Sequence, residues 1–122
     1  MPITYVAMTS IDPRILDREL KKGSAELIIL SIIEPRARHG YEISKLIETR
    51  SAGQLKFHVA SLYPLLYRLE EREWIESEWG FSENNRKAKF YKLTPDGRKQ
   101  LIEERSNWER LSTAVNLVLK TT

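Results

Sequence analysis

Side chains that can donate hydrogen bonds to phosphate are concentrated in one short stretch. Ser82 to Lys92 carries four basic residues (Arg86, Lys87, Lys89 and Lys92) against one acid, Glu83. That net +3 equals the excess of the whole 122-residue chain, 20 Lys and Arg minus 17 Asp and Glu. A local basic patch on an otherwise near-neutral chain suits a small nucleic-acid contact. A solvated hairpin loop would carry the same charge. A second constellation lies upstream in SLYPLLYRLEERE. There Leu62, Leu65, Leu66 and Leu69 fall at i, i+3, i+4 and i+7, one apolar stripe of a helix. Ser61, Tyr63, Pro64, Tyr67 and Arg68 fall on the other side. Hydroxyl and guanidinium donors on the outer face of a helix can meet base edges in the major groove of DNA, which admits one helix.

Other chemistries lack their residues. The chain has no cysteine, which excludes a disulfide framework, a thiol nucleophile and a thiolate metal site. His39 and His58 have no histidine partner at helical spacing, so no metal site is expected. Glu70, Glu71 and Glu73 point around the exposed side of one helix and imply no cleft for paired acid–base catalysis. Neither an enzyme nor a cofactor is expected. The 41% hydrophobic and 30% charged fractions are those of a soluble globular protein. Met1 to Ser10 carry no positively charged leader-like region. The longest apolar run, Leu27 to Ile33, is too short to span a membrane. A cytoplasmic protein with no membrane partner is expected.

The elements that must position these residues follow from punctuation and periodicity. Residues 1–11 lack periodicity and read as a flexible tail. Asp12-Pro13 reads as a cap followed by a first-turn proline, opening a short helix to Lys22. Ser24 is a second cap candidate, and the run LIILSII after it reads as a buried helix ending before Pro35. Gly40 to Arg50 sets Ile43, Leu46 and Ile47 on one face of a short amphipathic helix. Pro64 can sit only near the start of its helix, which places that start between Val59 and Ser61. Trp74 to Phe81 alternates, with Ile75, Trp79 and Phe81 on one side and Glu76 and Glu78 on the other. KFYKL, Lys89 to Leu93, suits a second strand. The loop SENNRKA between them makes a β-hairpin with a basic tip, and Asn84-Asn85 tolerates positive φ. Trp74 and Trp79 are expected to pack beneath it. Thr94-Pro95-Asp96 opens a long helix, on which Leu101, Trp108, Leu111, Val115 and Val118 form a seam broken by Glu104.

Three helices followed by a two-stranded wing and a long helix make a mainly α winged helix-turn-helix. The expected organisation is a DNA-binding domain over 12–93 and a dimerisation helix over 94–122. Expected DNA contacts are Tyr41, Lys45, Lys56, Ser61, Tyr63, Pro64, Tyr67, Arg68, Asn85, Arg86, Lys87 and Lys89. Each has an alternative: the tyrosines could fill gaps between helices, and Arg68 could pair with Glu71 at i+3.

Three segments, GSAELIILSIIEPRARHGYEISKLI, SLYPLLYRLEEREWIESEW and RKAKFYKLTPDGRKQL, together resemble the PadR family of bacterial transcriptional regulators. The resemblance runs from about Leu20 to the C-terminus and points to members with a short C-terminal helix. It implies a homodimeric repressor on double-stranded DNA. It also implies that Tyr41 and the start of the recognition helix, Ser61, Leu62, Tyr63 and Pro64, lie at the DNA surface. In some members flat aromatic compounds bind between the subunits. Trp108, read from the seam as a dimer-interface residue, would then also wall an effector pocket. One departure is Phe57-His58-Val59-Ala60, where the family often has a Gly- or Pro-containing turn. A winged helix used only for protein interaction is the competing reading, and it would expose apolar residues where Tyr63 lies.

Overall fold

A computed structural model describes residues 24–120; the expected tail and the helix expected from Asp12 lie outside the described residues. Helix α1, Ala25–Ile33, buries Ala25, Ile29, Leu30, Ile32 and Ile33. Ser24 does not cap it through its side chain, because its backbone is already near-helical (φ −113°, ψ −12°) and a capping side chain needs an extended backbone. Helix α2, Gly40–Arg50, turns Ile43 and Ile47 inward. Helix α3, Val59–Glu71, buries Leu62, Leu65, Leu66 and Leu69. Pro64 lies in its second turn and leaves the carbonyl of Ala60 without its i+4 donor. Ala60 is exposed, so solvent can take that bond.

The sheet has three strands, not the two expected. Strand β1, Arg38–His39, pairs antiparallel with β3, Lys87–Leu93, which pairs in turn with β2, Ile75–Phe81. Two residues carry no periodicity, so β1 is invisible in the sequence. The hairpin turn is shorter than expected: Lys87 and Ala88 belong to β3, opposite Phe81 and Gly80. Only residues 82–86 turn, with Asn85 at φ 58° and its N–H bonded to the Ser82 carbonyl at 2.9 Å.

Arg38 ties this sheet to the helices. It is 8% exposed. Its Nε donates to the Ile32 carbonyl at 2.8 Å, an otherwise open acceptor at the end of α1, and its Nη1 to Glu42 Oε2 at 3.0 Å. Arg36 closes on the same carboxylate. Burial alone would raise the Glu42 pKa, but the hydrogen bonds and charges of Arg36 and then Arg38 hold it below the ordinary carboxylate range. His39 caps α2, its Nδ1 accepting from the Glu42 N–H at 3.2 Å.

Helix α4, Pro95–Leu119, starts as expected, with Thr94 Oγ1 accepting from the Gly97 N–H at 3.0 Å. The same hydroxyl donates to the Glu73 carbonyl at 2.6 Å. The Thr94 N–H donates to the Trp74 carbonyl at 3.1 Å. A Cβ on Gly97 would lie 1.8 Å from that Trp74 oxygen, so the close approach requires glycine. The first turns of α4 pack on α1, with Arg105 Nη2 donating to Glu34 Oε1 at 3.0 Å. Leu101 is therefore not a seam residue: at 1% exposure it belongs to its own chain's core. Glu104, which interrupts the seam, accepts from Gln100 Nε2 at 3.1 Å. Burial raises its pKa; the Gln100 bond opposes this and Glu26 reinforces it. No helix among the described residues is long and apolar enough to cross a membrane.

Two expectations test this architecture. Gly97→Ala drives Cβ into backbone, an overpacking that costs about 1–3 kcal/mol or more; thermal melts will show it as a lowered midpoint. Glu42 is a carboxylate with a depressed native pKa. Its contribution is present above the unfolded pKa and is lost as pH falls through the native one. Glu42→Gln is thus expected to cost up to about 1 kcal/mol at neutral pH. The gap should narrow in melts repeated at successively lower pH, once the pH falls below the ordinary carboxylate range.

Candidate nucleic-acid interface

Burial of the leucine stripe leaves the opposite face of α3 in solvent. That face carries Ala60, Tyr63, Pro64, Tyr67, Arg68 and Glu71, all exposed, at the i, i+3, i+4 spacing of one helical side. Ser61 lies at its edge and is half-buried. Among the described residues Arg68 forms no ion pair, with Glu71 or any other, and its side chain is exposed on this face.

The turn before α3 sets its pitch. Phe57 is buried in the core, and its carbonyl accepts from Ser44 Oγ of α2. An apolar plug thus ties the start of α3 to α2. His58 has an extended backbone (ψ 141°) at the N-cap position but makes no side-chain cap. It is exposed, as is Lys56 on the other side of the plug.

The N-terminus of α2 meets the same surface. Tyr41 and Lys45, at i and i+4, are both exposed. Gly40 has no side chain, and a Cβ there would sit 3.3 Å from the Tyr63 ring and its hydroxyl. That contact sets α2 directly against the exposed tyrosine of α3. Behind it, Tyr91 of β3 is buried. Burial pushes its hydroxyl pKa up, and the nearby charges of Glu70 and Tyr63 add to the shift. Tyr41, Lys45, Tyr63, Pro64, Tyr67 and Arg68 therefore stand on adjoining helices.

Glu70 turns from α3 toward the sheet. Its Oε2 accepts from Ser77 Oγ at 2.5 Å, and its Oε1 lies 3.8 Å from Lys89 Nζ. Lys89 is thus a strand residue, as expected from KFYKL, and its side chain lies beside α3, away from the hairpin tip. Asn85, Arg86 and Lys87 are exposed at the far end. Phe81 lies four residue steps along the strand from Ser77, a reach of about 13 Å at ~3.3 Å per residue. The basic tip therefore stands apart from the α3 face.

The expectation for Trp79 fails. It is 63% exposed, because the core ends at Ile75, Tyr91 and Leu93 and the outer half of the hairpin has nothing beneath it. Lys87 Nζ lies 5.2 Å from the Trp79 ring centre. Trp74 does pack against the core, with the Arg72 guanidinium 5.0 Å from its ring. Sequence reasoning also missed Arg38 and His39 as positioning residues. The spacing of Arg38 and Glu42, i and i+4, was the available signal. No group of three or more His, Asp or Glu among the described residues is placed to hold a metal ion.

Beyond Arg105, α4 projects away from the core. Trp108, Leu111, Val115 and Val118 are 49%, 59%, 44% and 83% exposed, on the same side of the helix as Leu101.

Comparison with known proteins agrees with this geometry. Residues 29–103 match the family model described as the transcriptional regulator PadR-like family. An uncharacterised protein of Lysinibacillus sphaericus is 31% identical over 102 residues, spanning 84% of this chain and 94% of the relative. The crystal structure of a PadR-like transcriptional regulator from Bacillus cereus is 33% identical with a TM-score of 0.75, covering 85% of this chain and 99% of that one. A transcriptional regulator from Clostridium thermocellum is 29% identical with a TM-score of 0.74, covering 84% and 96%. The order of helices, the short third strand and the wing are thus those of a winged helix, and the chain belongs to the PadR-like family of transcriptional regulators.

Proposed function

We propose that this chain is a homodimeric, sequence-specific DNA-binding regulator that acts in the cytoplasm as a repressor. The observation that carries the reading is the exposed polar face of α3. It bears tyrosine hydroxyls and the exposed guanidinium of Arg68 on a helix held from behind by four buried leucines. Such a helix fits the major groove, where base edges present distinct donor and acceptor patterns. Tyr41, Lys45 and Lys56 flank it, and Asn85, Arg86 and Lys87 reach phosphates beside it. Phosphate contacts supply affinity and register, and base contacts supply sequence choice. The protein-interaction reading is less well supported because the outer face of α3 presents the hydroxyls of Tyr63 and Tyr67 and the guanidinium of Arg68 rather than exposed Leu, Ile, Val or Phe.

In this proposal residues 12–93 read DNA and residues 94–122 join two copies. The unpaired stripe Trp108, Leu111, Val115 and Val118 supports it, since a sustained apolar seam on a projecting helix needs a partner. A two-fold axis would set the two α3 helices in successive major grooves about one turn apart, on a pseudo-palindromic site. A flat aromatic effector between the two Trp108 rings is the small-molecule partner consistent with the family.

The decisive experiment is capture of fragmented genomic DNA by the purified protein, followed by sequencing. Enrichment of a pseudo-palindrome supports the reading; no retained DNA at low salt would favour the protein-interaction alternative. Sedimentation at micromolar concentration is expected to show a dimer. Val115→Glu should convert it to monomer, while Trp108→Ala, a truncation worth about 3–5 kcal/mol when the ring is buried, should weaken it. Binding should fall steeply with salt. With roughly three to five phosphates neutralised per subunit, the log–log slope of the dimer is about −5 to −9. Replacing Arg86, Lys87 and Lys89 together by Ala should flatten that slope and weaken operator and random DNA alike.

A further inference from the structure

The two faces of the hairpin differ in a way that charge counting along the chain conceals. In the observed register Phe81 stands opposite Lys87, Trp79 opposite Lys89, and Ser77 opposite Tyr91. Side chains alternate along a strand and paired residues share a side. One face of the outer hairpin therefore bears Trp79, Phe81, Lys87 and Lys89, and no acid. The other bears Glu76, Glu78, Phe90 and Lys92, with Lys92 paired to Glu76 at 3.4 Å. The first face is cationic and aromatic, and the second is close to neutral.

The aromatics are treated differently as well. Phe90, on the near-neutral face, is half-buried and meets the His39 ring edge-on at 5.3 Å. The missing side chain of Gly80 lets its ring come within 3.1 Å of where a Cβ would lie. Trp79 and Phe81, on the cationic face, are 63% and 69% exposed. The sheet thus shields one aromatic in part and leaves two large ones open beside lysines. Two exposed rings on one small patch of cationic surface indicate a binding partner.

Reach and charge select that partner. The cationic face is anchored to α3 where Ser77 and Lys89 meet Glu70, and Phe81 lies about 13 Å further out. From the middle of a major groove to the middle of the next minor groove is about half a turn, or ~17 Å along the DNA axis. With α3 in the major groove, the rings arrive at the phosphate strand and sugar edges bordering the adjacent minor groove. We propose that Trp79 and Phe81 form an apolar seat against the deoxyribose edge of that groove, with Lys87 and Arg86 holding the phosphates on either side. The proposal rests on the DNA-binding reading above and adds a contact that charge alone does not supply. Apolar contact releases no counterions, so this part of the affinity is insensitive to salt. Apolar side chains set against minor-groove sugars and base steps are an established physical means of holding DNA.

The test uses the full chain and a labelled random-sequence duplex of about 30 base pairs, nearly three helical turns. Phe81→Ser and Trp79→Ser are each expected to weaken binding by about 5-fold or more at every salt concentration, from the loss of part of a ring's burial. Their log–log salt slope should match the wild type, whereas Arg86→Ala should flatten it. A second readout does not depend on these variants. In a protein carrying Trp74→Phe and Trp108→Phe, Trp79 is the one remaining indole of the chain's three tryptophans. Its quenching by acrylamide should drop when the duplex binds. If wild-type affinity persists in both serine variants, or Trp79 quenching is unchanged on the bound protein, the seat is overturned while the regulator reading stands. Failure of the wild type itself to bind duplex at low salt would overturn both.

Discussion

Four leucines decide which way the reading helix faces. Leu62, Leu65, Leu66 and Leu69 are buried along one side of α3 against α1 and α2. Each contributes about 1.5–3 kcal/mol relative to an exposed side chain. Rotating α3 by even a quarter turn would expose part of that stripe and bury Tyr67 or Arg68 without partners. The outward display of Tyr63, Tyr67 and Arg68 is therefore a consequence of core packing. It would hold whatever those outer residues were, and the outer face is free to vary in chemistry while the fold stays the same.

Around this stripe the polar groups act as staples between elements that apolar contact alone would leave free to slide. Arg38 spans three of them: the last turn of α1 through the Ile32 carbonyl, the start of α2 through Glu42, and β3 through strand pairing. A guanidinium that is nearly buried must have its donors met, and here the open carbonyl of a helix end and a carboxylate meet them. Thr94 does similar work on the opposite side, joining the end of the α3 turn to the start of α4. The absent side chains of Gly40 and Gly97 complete these joints by letting a ring and a carbonyl approach backbone.

The long helix carries one apolar stripe with two destinations. Its first turns, through Leu101, close the core of their own chain; its later turns, from Trp108 onward, have no core to reach. With 25 residues at ~1.5 Å each, α4 is about 37 Å long, longer than the helix it packs against. The excess length, more than the composition of the stripe, turns a core helix into a surface able to join a second copy. The Glu104 interruption marks the changeover, where the side chain accepts from Gln100 near Glu26 at the beginning of α1.

Much of this was legible from the residues in order. The leucine spacing of α3, the Thr94-Pro95 start of α4, the extent of α2 and the basic hairpin all follow from periodicity and capping, which are local properties. The family resemblance rested on such local segments too. What the chain order could not disclose were pairings between distant residues. Strand β1 is two residues long and exists because β3 offers it an open edge. Leu101 matches the seam by spacing, yet α1 covers it, and only the packing of α1 against α4 separates it from Trp108. Alternation put Trp79 on the same side as Ile75, but burial depends on how far the core extends beneath the sheet. The core stops short of Trp79, and the strands run on past it into solvent. Period and punctuation determined the elements and their faces; the tertiary structure decided which of those faces found a neighbour, because burial is a property of what lies opposite and not of the residue itself.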